Sequence, residues 1–300
     1  MTGAQVEEVG LHRSYLYVVG HREDQIEKAY ASEVDAVVLE LEDAVAPSMK
    51  EQARRTVARV LRATPPKPTW VRVNQLGSGL TRRDVDAVAG AAIEGIRLPK
   101  TQSPGDVATV AAWLDEAESG ARIQAVLETA LAVERVTEIV HAHPRLAGVS
   151  LGEQDLQADL GATGEGLRYA RSRVVLAARA AGLPAPVQSV WTALSDLEGL
   201  RNSCLEGKRY GCYGRSAIHP RQVPVINEVF TPTPAEVAGA AELRQRLAEA
   251  LAEGSASVQL PDGRFVDQAV VLAAARVLSY GRPAAGPVPP TSPGADGQGA

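Results

Sequence analysis

Cysteine, membrane-length apolar runs and charge of one sign are all in short supply in this chain of 300 residues. Two cysteines, Cys204 and Cys212, exclude a disulfide framework and read as free cytosolic thiols. No stretch approaches the roughly 20 apolar residues that a membrane span requires. The first residues, MTGAQVEEVGLHR, lack the basic region and apolar core of a signal peptide, so a cytoplasmic location is expected. With 31 basic against 36 acidic residues the net charge is -5, which offers nucleic acid no global field; anion binding must come from local clusters. The five histidines have no H-E-x-x-H spacing, and no G-x-G-x-x-G follows the first apolar run. The second absence argues against a doubly wound, dinucleotide-binding sheet, the alternative fold.

What the chain does have is a repeating βα rhythm, within a composition that is 45% hydrophobic. Apolar runs at Tyr15–Val19, Asp35–Leu41, Thr69–Val73, Gly95–Leu98, Ile123–Leu127, Leu146–Leu151, Ala185–Val190 and Arg215–Ile218 alternate with helical segments. The segment after Pro47 is the clearest of these helices, with Ala53, Val57, Val60 and Leu61 on one face. Eight strands alternating with helices predict an α/β fold, a (β/α)8 TIM barrel over residues 11–232. A long helix over Thr233–Glu253, a turn at Pro261-Asp-Gly263 and a last helix over Val266–Tyr280 predict a small C-terminal helical appendage, residues 233–281. Residues 1–10 and the Pro/Gly/Ser-rich stretch 282–300 are expected to be disordered.

In a barrel, functional groups gather at the C-terminal strand ends. Here those ends carry Glu42 and Asp43, Arg72 and Asn74, Lys100, Glu128, Glu153 and Asp155, Gln188, and His219. Oxygen donors without cysteine favour Mg²⁺ or Mn²⁺ over Zn²⁺, although each acid taken singly could equally be a helix cap or a solvated charge. Arg72 suits bidentate capture of a carboxylate, or alternatively an ion pair with Glu42 or Asp43. A basic cluster of His12, Arg13, Arg22 and Lys28 around the first strand suits a phosphate-bearing ligand, or is scattered surface charge. A rival pattern is Gly148-Val-Ser-Leu-Gly152 with Asp196 and His219, in the order of an α/β-hydrolase triad. Against it, Ser150 lies inside an apolar run rather than at a strand-to-helix elbow.

The motifs RSYLYVVGHREDQIEKA, LELEDAVAP, VRVN, LPK, VLETA, LGEQDLQADLG and AIHPRQ resemble, in order, the signature blocks of the HpcH/HpaI aldolase and citrate lyase β-subunit superfamily. The resemblance runs from about Arg13 to Tyr280 and is nearest to the stand-alone CitE-like branch, which includes malyl-CoA and citramalyl-CoA lyases. It implies a TIM barrel that binds Mg²⁺ and makes or breaks a C–C bond in a 3-hydroxyacyl-CoA thioester, giving acetyl-CoA and a 2-oxo acid. By motif, Glu128 and Asp155 would be the metal ligands and Glu42 and Asp43 would hold metal-bound water. Arg72, Gly152 and Glu153 would bind substrate, and Arg13, Arg22 and Lys28 would bind CoA phosphates. Asp267 would be the catalytic acid–base, reaching a neighbouring subunit's site, which implies a homo-oligomer, commonly a trimer. Gln188, Arg215, Glu40 and Val19 depart from the family pattern; Gln188, expected at the mouth, stands where the family has an aspartate. Thioesterase or malate-synthase-like chemistry, or a catalytically idle CoA or oxo-acid binder, are the alternatives.

Overall fold

Seven parallel strands frame the protein, whose structure is a computed structural model describing residues 11–260 and 263–280. They are β1 (Ser14–Val19), β2 (Ala36–Glu40), β3 (Thr69–Arg72), β4 (Gly95–Leu98), β5 (Arg122–Leu127), β6 (Leu146–Leu151) and β7 (Arg215–Ala217). They form one curled sheet in the order β6-β5-β4-β3-β2-β1-β7. Successive strands of one sheet running parallel require crossovers, and helices supply them. These are α1 (Glu23–Ala31), α2 (Lys50–Val60), α3 (Thr81–Val88), α4 (Pro104–Glu116), α5 (Ala130–Glu134) and α6 (Val136–Ile139). They continue with α7 (Glu153–Leu160), α8 (Arg168–Ala180), α9 (Leu197–Tyr210) and α10 (Val223–Phe230).

Strand periodicity sorts the side chains onto two faces. Tyr15, Ala36, Val38, Trp70 and Val187 form a small cluster on the concave face, with Tyr17 packed against it. The intervening residues, such as Leu16, Val37, Leu39, Val71, Ile96, Ile123, Ala125 and Val149, join the main core beneath the helices. The helix faces agree: Ala53 and Val57 of α2 are fully buried, with Leu61 just beyond its end. Local signals fix several helix starts. Ser103 makes a capping box ahead of Pro104, and Thr233 makes another ahead of Pro234.

Two expectations need correction. Ala185–Val190 is not a strand. Only Val187 and Gln188 pair, through single parallel bridges to Ser150 of β6 and Arg215 of β7. Pro184 just before this segment and Pro186 within it withhold backbone donors, which limits it to isolated bridges. The second correction is α7, an unforeseen helix directly after β6. Its eight residues bury one apolar side chain, Leu156, too few to show a period.

The C-terminal part comprises α11 (Pro234–Ala252), a short antiparallel pair β8 (Val258–Gln259) and β9 (Phe265–Val266), and α12 (Gln268–Tyr280). α12 packs along α11, and Tyr280 stacks on Tyr213 with ring centroids 3.9 Å apart, which ties its end to the main body. The turn residues Pro261 and Asp262, the first ten residues and residues 281–300 lie outside the described residues. No helix among the described residues is long and apolar enough to cross a membrane.

Candidate active site

Glu128 follows β5 on the concave face and is 2% exposed. Its Oε1 accepts a hydrogen bond from the Lys100 backbone N–H at 2.7 Å. Burial, together with the Asp155 carboxylate beside it, pushes its carboxyl up to about 8. Gly152 makes room for it, since a Cβ there would stand 2.5 Å from Glu128 Oε2 and 2.7 Å from its Cβ. Asp155 arrives on the first turn of α7, where a carboxylate also suits the helix dipole. Two residues apart on a helix is about 200° around its axis, so Glu153 and Asp155 face opposite ways. Asp155 turns to Glu128. Glu153 turns to α8, where Arg171 grips it with Nε–Oε1 at 2.9 Å and NH2–Oε2 at 2.7 Å.

Arg72 is fixed by acids on both sides. Its Nε donates to Glu40 Oε2 at 2.5 Å, its NH1 lies 3.2 Å from Glu42 Oε2, and its guanidinium sits 5.1 Å over the Tyr17 ring. Glu40 is 1% exposed, so the pair is buried, and Glu40 also accepts from the Glu42 backbone N–H. The sequence motifs mark Glu40 only as a departure. The signal that could have found it is parity: Ala36, Val38 and Glu40 share the concave face. Lys100 links the two halves of the site. Its ammonium donates to Glu42 Oε1 at 2.8 Å and Asp43 Oδ2 at 3.1 Å, while its backbone holds Glu128. It does so at φ 50°, a left-handed conformation that costs a residue with a Cβ about 1 kcal/mol. Burial works against its charge, but Glu42 and Asp43 outweigh this and raise its pKa.

Glu128, Asp155, Glu42, Asp43, Arg72 and Lys100 thus share one end of the sheet. A neighbouring pair of carboxylates, one of them buried, is unfavourable alone and is relieved by a cation between them. Among the described residues no three His, Cys, Asp or Glu side chains form a closed metal cage. An open oxygen-donor pair suits a hard cation that keeps most of its water.

Other sequence candidates lie elsewhere. Arg13 precedes β1, at the opposite end of the sheet, where Asp35 clamps it at 2.6 and 2.8 Å and Thr231 accepts from NH1. It is not brought near Arg22 and Lys28, which follow β1 and both reach Asp24, at 3.2 and 3.8 Å. Gln188 does not face the mouth. Its outward side chain donates to the Ser203 carbonyl of α9 at 3.0 Å and packs on Gly207. Arg215 points the same way and donates to Ser203 Oγ. Asn74 is held on the outer side by the buried Asp84. The hydrolase pattern is not assembled: Ser150 is buried, Asp196 caps α9, and His219 Nδ1 accepts from the Arg221 backbone. Asp267 caps α12, accepting from Ala269 and Val270, and makes no hydrogen bond or ion pair to the Glu128 group among the described residues.

Known proteins are similar to this chain over most of its length. The model of the HpcH/HpaI aldolase/citrate lyase family matches residues 13–220. A (3S)-malyl-CoA thioesterase of Cereibacter sphaeroides is 36% identical over 281 residues, covering 89% of this chain and 93% of that protein. An L-malyl-CoA/beta-methylmalyl-CoA lyase of Rhodobacter capsulatus is 33% identical, covering 87% of this chain and 92% of that protein. The crystal structure of CitE from Mycobacterium tuberculosis in complex with magnesium, acetoacetate and coenzyme A superposes with a TM-score of 0.75 at 30% identity, covering 91% of this chain and 98% of that one. With seven parallel strands delivering an acid pair and a clamped arginine to one end of the sheet, the chain belongs to the HpcH/HpaI aldolase/citrate lyase family of enzymes.

Proposed function

We propose that this chain is a Mg²⁺-dependent carbon–carbon lyase or condensing enzyme acting on a 3-hydroxyacyl-CoA thioester of the citryl, malyl or citramalyl type. The products of cleavage are acetyl-CoA and a 2-oxo acid. The observation that carries this reading is the Glu128–Asp155 pair beside the clamped Arg72. The relatives' names and the magnesium, acetoacetate and coenzyme A of the CitE complex support it. We read the sheet as a barrel closed through the Val187 and Gln188 bridges, which puts these groups around one mouth.

Glu128 and Asp155 would hold the ion directly, with Glu42 and Asp43 reaching it through water. When bound, Mg²⁺ supplies Lewis-acid polarisation of the ketone. Arg72 grips the oxo-acid carboxylate; Glu40 and Glu42 hold its Nε and NH1, so the guanidinium is oriented before substrate arrives. Asp267 of a neighbouring subunit takes a proton from the acetyl-CoA methyl group and returns it to that carbon in cleavage. Arg22 and Lys28 bind CoA phosphates. The test incubates protein, Mg²⁺ and acetyl-CoA with glyoxylate, pyruvate and oxaloacetate in turn and weighs the thioesters formed. Glu128→Gln or excess EDTA should lower turnover at least a hundredfold; full activity under either condition overturns the reading.

The kinship with a malyl-CoA thioesterase favours one second reading, hydrolysis of the thioester at the same site. Free CoA released with an intact hydroxy acid distinguishes it from cleavage to acetyl-CoA and an oxo acid.

A further inference from the structure

Among the described residues Arg97 of β4 is the largest fully buried side chain, 1% exposed, and none of their carboxylates pairs with it. A guanidinium cannot shed its charge, so an unpaired one in the interior is costly unless something else answers it. Arg97 crosses the concave side of the sheet from β4 to β1 and β7. There its NH1 donates to Tyr17 Oη at 2.9 Å and to Ser216 Oγ at 3.1 Å. The faces of Tyr15, 4.4 Å from its Cζ, and Tyr17, at 5.4 Å, supply the remaining compensation. Its Nε and NH2 have no protein partner among the described residues.

The direction of the Tyr17 bond is fixed. Arginine has donors only, so the phenol oxygen accepts, and its own hydrogen must be spent elsewhere. No described residue accepts it. A hydroxyl that accepts from a cation is a stronger donor in turn. Tyr17 is half-buried on the concave face that also carries Glu128, and its ring lies under the Arg72 guanidinium. Arg72 is already paired with Glu40, whereas no described acid forms an ion pair with Arg97.

We propose that Tyr17 is a substrate-contacting residue, whose hydroxyl, oriented and polarised by Arg97, donates its hydrogen to a carboxylate oxygen of the oxo acid. Arg97 is the positioning residue beneath it. The proposal rests on the oxo-acid reading of the site, but its test does not depend on turnover. Binding of glyoxylate, pyruvate and oxaloacetate to the Mg²⁺-supplemented protein is measured by titration calorimetry, and turnover is assayed separately. Tyr17→Phe keeps the ring under Arg72 and should weaken the best-bound oxo acid about tenfold, while the loss of an acceptor for Arg97 lowers Tm without unfolding the protein at the temperature of the titration. Arg97→Met should weaken it in the wild-type background but add nothing to Tyr17→Phe, since both act through one hydroxyl. Unchanged affinity in Tyr17→Phe, additive losses in the double variant, or no oxo acid binding to the wild type would each overturn the proposal. Binding that depends on Tyr17 without any turnover would leave it standing and sink the lyase reading alone.

Discussion

A methyl group at position 152 would collide with the Glu128 carboxylate from the side opposite the Lys100 N–H, and neither neighbour can retreat easily. Glycine is needed here for close approach rather than for an unusual backbone, since its φ is -89°. Gly152→Ala should therefore swing Glu128 out of place and lower Mg²⁺ affinity by about tenfold or more, at a stability cost of about 1–3 kcal/mol. Metal titration alongside a melting curve checks both. Directly after Gly152, only the family motif separates the acids at 153 and 155 in the sequence. The physical reason is α7, which sets them on opposite faces. Asp155→Asn should consequently weaken Mg²⁺ far more than Glu153→Gln. Glu153→Gln leaves the half-buried Arg171 with only Glu206, 3.6 Å from its NH1, and should show first as a loss of about 1–2 kcal/mol in stability.

Among the secondary-structure elements, the strands announced themselves through apolar runs, and all seven strands of the main sheet fall within a residue of their expected positions. The remaining run, Ala185–Val190, reads as a strand in the sequence but pairs only at Val187 and Gln188, because Pro184 and Pro186 withhold backbone donors there. Its side chains show what holds it there. Gln188 lies against Gly207 so closely that a Cβ on that glycine would sit 1.9 Å from the carboxamide carbon. The family-departing Gln188 and Arg215 thus meet at Ser203 of α9, where they join the Val187–Gln188 segment and β7 to that helix. Gly207→Ala should lower Tm by several degrees, since overpacking here costs about 1–3 kcal/mol. Gln188→Ala in the same chain should restore much of that loss, a coupling that independent sites would not show.

For the whole molecule, the proposed role of Asp267 calls for a second subunit, since among the described residues it makes no hydrogen bond or ion pair to the Glu128 group of its own chain. It sits at the start of α12, between Phe265 and Leu272, both more than half exposed, so apolar surface flanks it on the outside of the subunit. Such a face fits contact with a second copy, and a heterologous ring would give every mouth one neighbour's Asp267. Two inactive variants test this together. Glu128→Gln lacks the metal ligand and Asp267→Asn lacks the base, so each homo-oligomer carries one lesion in every site. If the base crosses between subunits, random mixing at equal amounts regenerates about a quarter of the sites, because an Asp267→Asn subunit beside a Glu128→Gln neighbour has both groups. If base and ligand come from one chain, no arrangement has both and activity stays at the level of the variants. Co-expression with two affinity tags, followed by assay of the doubly tagged fraction and light scattering for its mass, separates these outcomes. Activity absent from a doubly tagged oligomer would remove Asp267 from the neighbour's site.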